Sequence, residues 1–220
     1  MAMEHLTEVE AKDLVQKAGI PVVETVLARS KAEAEAVARR LGFPVVLKVV
    51  SPEVVHKSDA GGVKLNVKSD IEVSQAYDEI MTSVKEKQPS ANVIGVSVQK
   101  MARPGVEVII GMSKDPDFGP VLMFGLGGVL VELIKDVSFR IAPITRQDAA
   151  EMIREIKGFA LLQGYRGADP VDLTALEDML LKVSALVDQN PDVNEMDLNP
   201  VFAYRDGAIA VDARVALEAK

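Results

Sequence analysis

The segment FPVVLKVVSPEVVHKSDAGGVKL, Phe43–Leu65, sets a lysine inside an apolar β run and a histidine just before a pair of glycines. Val45, Val46, Leu47, Val49 and Val50 surround Lys48 with apolar side chains. Burying an unpaired ammonium costs several kcal/mol, so Lys48 either leaves the strand on a solvent face or faces a cleft that holds an anion. Gly61-Gly62 follows His56-Lys57-Ser58-Asp59. Paired glycines let backbone N–H groups approach a phosphate closely; the plainer alternative is a hairpin turn. A lysine on one strand and an N–H loop before the next would clamp a polyphosphate from two sides. His56 is one of only two histidines, the other being His5 near the start of the chain.

Outward from this segment the pattern alternates. Thr7 and Glu10 form a capping box for a helix over about Glu8 to Ala18, which Gly19-Ile20-Pro21 ends. A short β run covers Val22–Ala28, and Ser30 with Glu33 caps a helix to Leu41, closed by Gly42 before the strand PVVLKVV. VKLNV, Val63–Val67, reads as a strand, and Ser69 or Asp70 caps a helix to about Lys87. Val93–Met101 is again β; Arg103-Pro104-Gly105 interrupts it, and VEVIIGMSKD and GPVLMF make a hairpin about Asp115-Pro116-Asp117. Helices follow over about Gln147–Ile156 and Leu173–Asp188. A strand at Val193–Leu198 precedes two β runs flanking Arg205-Asp206-Gly207. Several β runs are sequential neighbours, so the expected class is α+β with mostly antiparallel sheets rather than a doubly wound parallel sheet. The expected divisions are an N-terminal helix segment at 1–21, one lobe at 22–102 and a second at 103–220, parted at Arg103-Pro104-Gly105.

Composition narrows the chemistry. The 220 residues carry a formal net charge of −8 and no basic block, which argues against nucleic acid as the main partner. Without cysteine, and with two histidines, a structural zinc site is excluded. No apolar run reaches the roughly 20 residues of a membrane span, and MAMEHLTEVEAK has no basic segment followed by an apolar stretch. A cytoplasmic protein is expected. Neither the Gly-x-x-x-x-Gly-Lys-Ser/Thr loop nor a complete dinucleotide fingerprint occurs.

A second constellation lies in NEMDLNPVFAYRDGAIAVD. Strand alternation places Glu195, Asp197 and Asn199 on one face and Met196 and Leu198 on the other, with Asp212 ending the following hairpin strand. Hard oxygen ligands in this arrangement suit magnesium, which takes one or two carboxylates plus substrate phosphates; a solvated strand face is the alternative.

With Lys48, the His-Lys-Ser-Asp-x-Gly-Gly turn, Gln99-Lys100-Met101 and Asp-x-Asn-Pro followed by Asp212 in this order, the chain resembles an ATP-grasp protein. It most resembles the small β subunits of ADP-forming acetyl-CoA synthetases, relatives of succinyl-CoA synthetase. The resemblance implies two α+β lobes gripping ATP, with phosphates at Lys48 and the Gly61-Gly62 turn and Lys64 in the same ATP-binding set. It further implies adenine against Gln99, Lys100 and Met101, ribose near Glu107, and Asn199 and Asp212 as magnesium ligands. The glycine-rich loop from Gly125 to Glu132 would border the active site. His56 would be a phosphate-relay nucleophile or a contact for the phosphoryl group in transit, oriented by Asp197; the plainer reading is a solvent-facing loop histidine. The implied partner is an α subunit carrying the CoA-binding and phosphohistidine domains, in an α2β2 assembly. Two other functions fit the same fold: a free-standing carboxylate–amine ligase, and a nucleotide-sensing module of a larger acyltransferase.

Overall fold

The computed structural model describes residues 3–54, 56–128 and 135–219. In chain order these form β1 (Met3–His5), α1 (Glu8–Lys17), β2 (Thr25–Ala28), α2 (Lys31–Leu41), β3 (Val45–Val50), β4 (Val63–Val67), α3 (Asp70–Lys87), β5 (Gly95–Lys100) and β6 (Val106–Asp115). After them come β7 (Gly119–Leu126), β8 (Val137–Ile141), α4 (Arg146–Glu155), α5 (Phe159–Leu162), a single 3₁₀ turn (Tyr165–Gly167), α6 (Leu173–Gln189), β9 (Val193–Tyr204), β10 (Gly207–Ala210) and β11 (Arg214–Glu218). Among the described residues every strand ladder is antiparallel, as expected of an α+β chain.

The chain divides into two compact units. The smaller comprises Thr7–Val9 and Val23–Arg103 and holds a four-stranded sheet in the order β2-β5-β3-β4. Helices α2 and α3 pack on it. Their core stripes, Ala34 and Ala38 on α2 and Val73, Ala76, Ile80 and Val84 on α3, recur at helical spacing and meet Val45, Leu47, Val49, Val96 and Val98. Both helices begin alike. Ser30 accepts the Glu33 N–H at 3.2 Å while Glu33 accepts the Arg29 N–H at 2.7 Å. Ser69 and Glu72 repeat the arrangement at 3.3 Å and 2.7 Å. Each serine cap is worth roughly 1 kcal/mol, and together they fix where both helices start.

The larger unit comprises Met1–Leu6, Glu10–Val22 and Pro104–Lys220. Its seven-stranded sheet runs β1-β11-β9-β6-β7-β8, with β10 also pairing with β9. α6 buries Leu176, Met179, Leu180, Val183, Leu186 and Val187 in a core shared with Phe124, Leu122 and Ile110 of the sheet. The sequence pattern ended a strand at Leu198; β9 instead continues to Tyr204. The β6 ladder shifts register across Asn199-Pro200, pairing Ile110 with Leu198 but Val108 with Val201. This bulge absorbs the proline, which has no N–H to give, while its carbonyl accepts the Val211 N–H at 2.9 Å.

Candidate functional site

In the smaller unit, β3 alternates strictly. Val45, Leu47 and Val49 enter the core under the helices, and Lys48 lies on the other sheet face with Val46 and Val50. Lys48 is only 7% exposed, so the solvent-facing alternative does not hold and its ammonium faces an anion. Its Nζ donates to Glu8 Oε1 at 2.7 Å, and Lys57 Nζ donates to Glu8 Oε2 at 2.8 Å. The anion Lys48 faces is thus a carboxylate of its own chain, in the first turn of α1. Breaking such a buried pair by removing one partner costs about 3–5 kcal/mol. Glu8 and Lys57 were missed because the sequence signals nearest them, a helix cap and a polar turn, were complete without them.

The glycine turn does something other than the sequence suggested. The N–H of Gly61 donates to the Ser58 carbonyl at 3.0 Å and that of Gly62 to the Lys57 carbonyl at 2.7 Å, so both amides are already spent. The glycines answer a steric demand. Gly61 has φ +71°, and a Cβ on Gly62 would stand 2.4 Å from Val49 Cγ1. The expectation of two open amides is therefore corrected in this conformation. Lys64 is corrected in a different way: register places it opposite Leu47, on the helix-covered face, where it pairs with Glu79 of α3. It does not join Lys48, which stands opposite Val63 on the other face.

Gln99 lies inside β5 at 1% exposure, opposite Val46 and Thr25, and its Oε1 accepts the Thr25 hydroxyl at 3.4 Å. Lys100 and Met101 are exposed at the strand end, with the Met101 N–H bonded to the Pro44 carbonyl at 3.0 Å. His56 is exposed at the start of the turn, its carbonyl accepting the Ala60 N–H at 3.2 Å; Val55 lies outside the described residues.

In the larger unit the expected face of β9 is present. Met196 and Leu198 are buried in the core, whereas Glu195, Asp197 and Asn199 occupy the opposite face. Asp197 stands in register between Gly111 of β6 and Arg214 of β11. Burial pushes its carboxyl up to about 6, Asp212 and Glu195 adding to the shift against the Arg214 guanidinium and a hydrogen bond from Asn199. Its Oδ1 is buried with no hydrogen-bond partner. Asp212 follows β10 and accepts the Ala213 N–H on Oδ1 at 2.8 Å. Among the described residues no three Asp, Glu or His side chains are grouped to hold a metal alone. An all-oxygen set with an orphaned carboxylate oxygen fits magnesium, which completes its shell with water and phosphate.

Glu107, on β6, is exposed, and its carbonyl accepts the Gly127 N–H at 2.7 Å. Its Oε2 lies where a Cβ on Gly128 would come within 2.9 Å, so the glycine-rich stretch does permit a close approach. Part of the expected loop is strand, since β7 runs through Gly125 and Leu126; Val129–Glu132 lie outside the described residues.

Residues 2–217 match the family model described as an ATP-grasp domain. The β subunit of ADP-forming acetate–CoA ligase I from Pyrococcus furiosus is 52% identical over 212 residues, covering 96% of this chain and 91% of that one. The chain belongs to the ATP-grasp β subunits of ADP-forming acetate–CoA ligases. ADP-forming acetate–CoA ligase I of Archaeoglobus fulgidus is 52% identical over 94% of this chain, which spans 30% of that longer protein. Acetyl-coenzyme A synthetase 1 of Ca. Korarchaeum cryptofilum superimposes with a TM-score of 0.87 at 50% identity, covering 98% of this chain and 93% of that one. That enzyme was solved with coenzyme A and Mg-AMPPCP, its phosphohistidine segment pointing towards the nucleotide-binding site. A similar sequence thus occurs both as a separate β subunit and as 30% of a longer protein.

Proposed function

We propose that this chain is the nucleotide-binding subunit of an ADP-forming acyl-CoA synthetase, which converts acetate or another acyl acid, CoA and ATP to acyl-CoA, ADP and phosphate. The observation that carries the reading is the 52% identity to a separate β subunit across nearly the whole of both chains. The Korarchaeum complex with Mg-AMPPCP supports ATP and Mg2+ as the ligands.

Phosphoryl transfer is chiefly positioning and charge neutralisation. Lys48 supplies a buried ammonium for the phosphates, with the Gly61-Gly62 turn setting the strand spacing beside it rather than donating its amides. Gln99 and Met101 line the base side along with the Lys100 backbone, and Glu107 serves the ribose. Lys64, on the helix face, is left out of this set. Asn199 and Asp212 would hold magnesium, which when bound would screen the phosphate charges.

His56 is proposed as the relay nucleophile. A neutral imidazole nitrogen attacks phosphorus, the N–P bond forming as the bond to the leaving oxygen breaks, and the phosphoryl group then passes to the next acceptor. Asp197 is its proposed orienting carboxylate. The proposed partner is an α subunit carrying the CoA-binding and phosphohistidine domains, in an α2β2 assembly, and the proposed location is the cytoplasm.

Incubating the chain with γ-labelled ATP and magnesium, with and without the α subunit, tests the relay. Label should appear on His56 and vanish in His56→Ala along with overall turnover. An unchanged overall rate in that variant refutes the histidine's role.

A further inference from the structure

We propose that Glu8 is a positioning residue for the nucleotide phosphates: its two carboxylate oxygens hold Lys48 and Lys57 as a paired ammonium clamp, which makes Lys57 a second phosphate-binding cation. The inference rests on the reading of Lys48 as a phosphate ligand.

Two stretches far apart in sequence converge here. Glu8 opens α1, Lys48 is mid-strand on β3, and Lys57 lies in the turn that follows. The Glu8 side chain is 1% exposed, that of Lys48 9% and that of Lys57 15%. Each oxygen takes one ammonium, Oε1 at 2.7 Å and Oε2 at 2.8 Å, so one rigid carboxylate fixes the spacing of two cations. A lysine in a polar turn ordinarily extends into water; Lys57 is folded back onto a buried carboxylate instead. Its carboxylate partner stands in the first turn of a helix, where backbone dipoles favour negative charge.

An ammonium has three N–H donors, and on Lys57 the bond to Glu8 leaves room for a further acceptor. A phosphate oxygen can take another without either side chain having to be ordered first, which is the advantage of preorganised charge. Core stability alone does not account for the triad, because apolar side chains of similar volume often replace whole buried ion pairs at no loss, although removing a single partner is costly. Lys57, the most exposed of the three, marks the side from which a phosphate would approach.

The test is calorimetric titration of the full chain with AMPPCP and magnesium, alongside thermal melts. Glu8→Gln keeps the volume but replaces one of the two acceptor oxygens by an N–H₂ donor, so only one lysine keeps its oxygen partner. Affinity should fall roughly tenfold in Glu8→Gln and in Lys57→Met, and the double variant should fall no further than the weaker single, as expected of residues acting as a unit. Lys57→Arg, which keeps charge and donors, should recover most of the loss. Wild-type affinity in Lys57→Met overturns the proposal whether or not Glu8→Gln folds. Tighter binding in Glu8→Gln also overturns it, since the carboxylate would then be a competitor of phosphate. Lys48→Met separates the two levels. If that variant binds normally, the parent reading fails; if it loses binding while Glu8→Gln and Lys57→Met match wild type, only the Glu8 inference fails.

Discussion

Lys48 and Asp197 both sit on interior strands, one in each unit, and their surroundings are opposite in kind. The Lys48 ammonium has a carboxylate at hydrogen-bond distance, shared with a second lysine. Asp197 has a pKa raised first by burial, with Asp212 and Glu195 adding to it against the Arg214 guanidinium, and a buried oxygen without a partner. The smaller unit therefore stores positive charge already ordered by its own counter-ion, and the larger unit stores negative charge that a cation would relieve. A phosphate group suits the first and a divalent cation the second.

The largest effect expected from breaking this contrast is at its cationic end. Lys48→Met should lower turnover in the assembled enzyme by at least about 100-fold, because charge neutralisation at the phosphates is lost. Steady-state kinetics with saturating acyl acid and CoA check it, and a loss under threefold would remove Lys48 from the site. Next comes the turn that spaces it. Gly62→Ala forces a Cβ against Val49, an overpacking that should cost about 1–3 kcal/mol and lower Tm by several degrees; a melt indistinguishable from wild type would mean the turn relaxes freely.

At the anionic end the sign is set by Asp197. Its folded pKa of about 6 lies above its unfolded value, so its contribution to stability is present below the unfolded pKa and lost as pH rises through about 6. In magnesium-free buffer the Tm of Asp197→Asn should therefore rise relative to wild type from about pH 4 until the pH passes about 6, and stay a few degrees up above that. A Tm difference independent of pH would contradict the raised pKa. The smallest effect belongs to Lys64→Ala, which should leave nucleotide affinity within about twofold, as its partner Glu79 lies on the exposed helix side. A tenfold loss would return Lys64 to the phosphate set.

Much of the fold was legible because strong local signals agreed. The serine caps of α2 and α3 and the alternation of β3 and β4 are all readable within a few residues. Strand β9 was cut short because Asn199-Pro200 looks like a stop, and only its ladder partners show that a bulge carries the strand across. β1, β8 and β11 went unread. The face bearing Glu195, Asp197 and Asn199 followed from period two alone, whereas Arg214 entered it through cross-strand register. Glu8 was invisible as a partner of Lys48 for the same reason: 40 residues separate them, and only tertiary packing brings them together. Nor could the glycines reveal that their amides bond back to Ser58 and Lys57. Glycine states what a backbone is able to do, not which carbonyl it meets.

One measurement bears most directly on the contrast: the affinity of the full chain for ATP with and without magnesium, in Lys48→Met and in Asp212→Ala. Lys48→Met should weaken binding in both conditions, and Asp212→Ala should abolish only the gain that magnesium brings. Equal magnesium enhancement in Asp212→Ala and wild type, or metal-free binding unaffected by Lys48→Met, would contradict the assignment of phosphate to one unit and cation to the other.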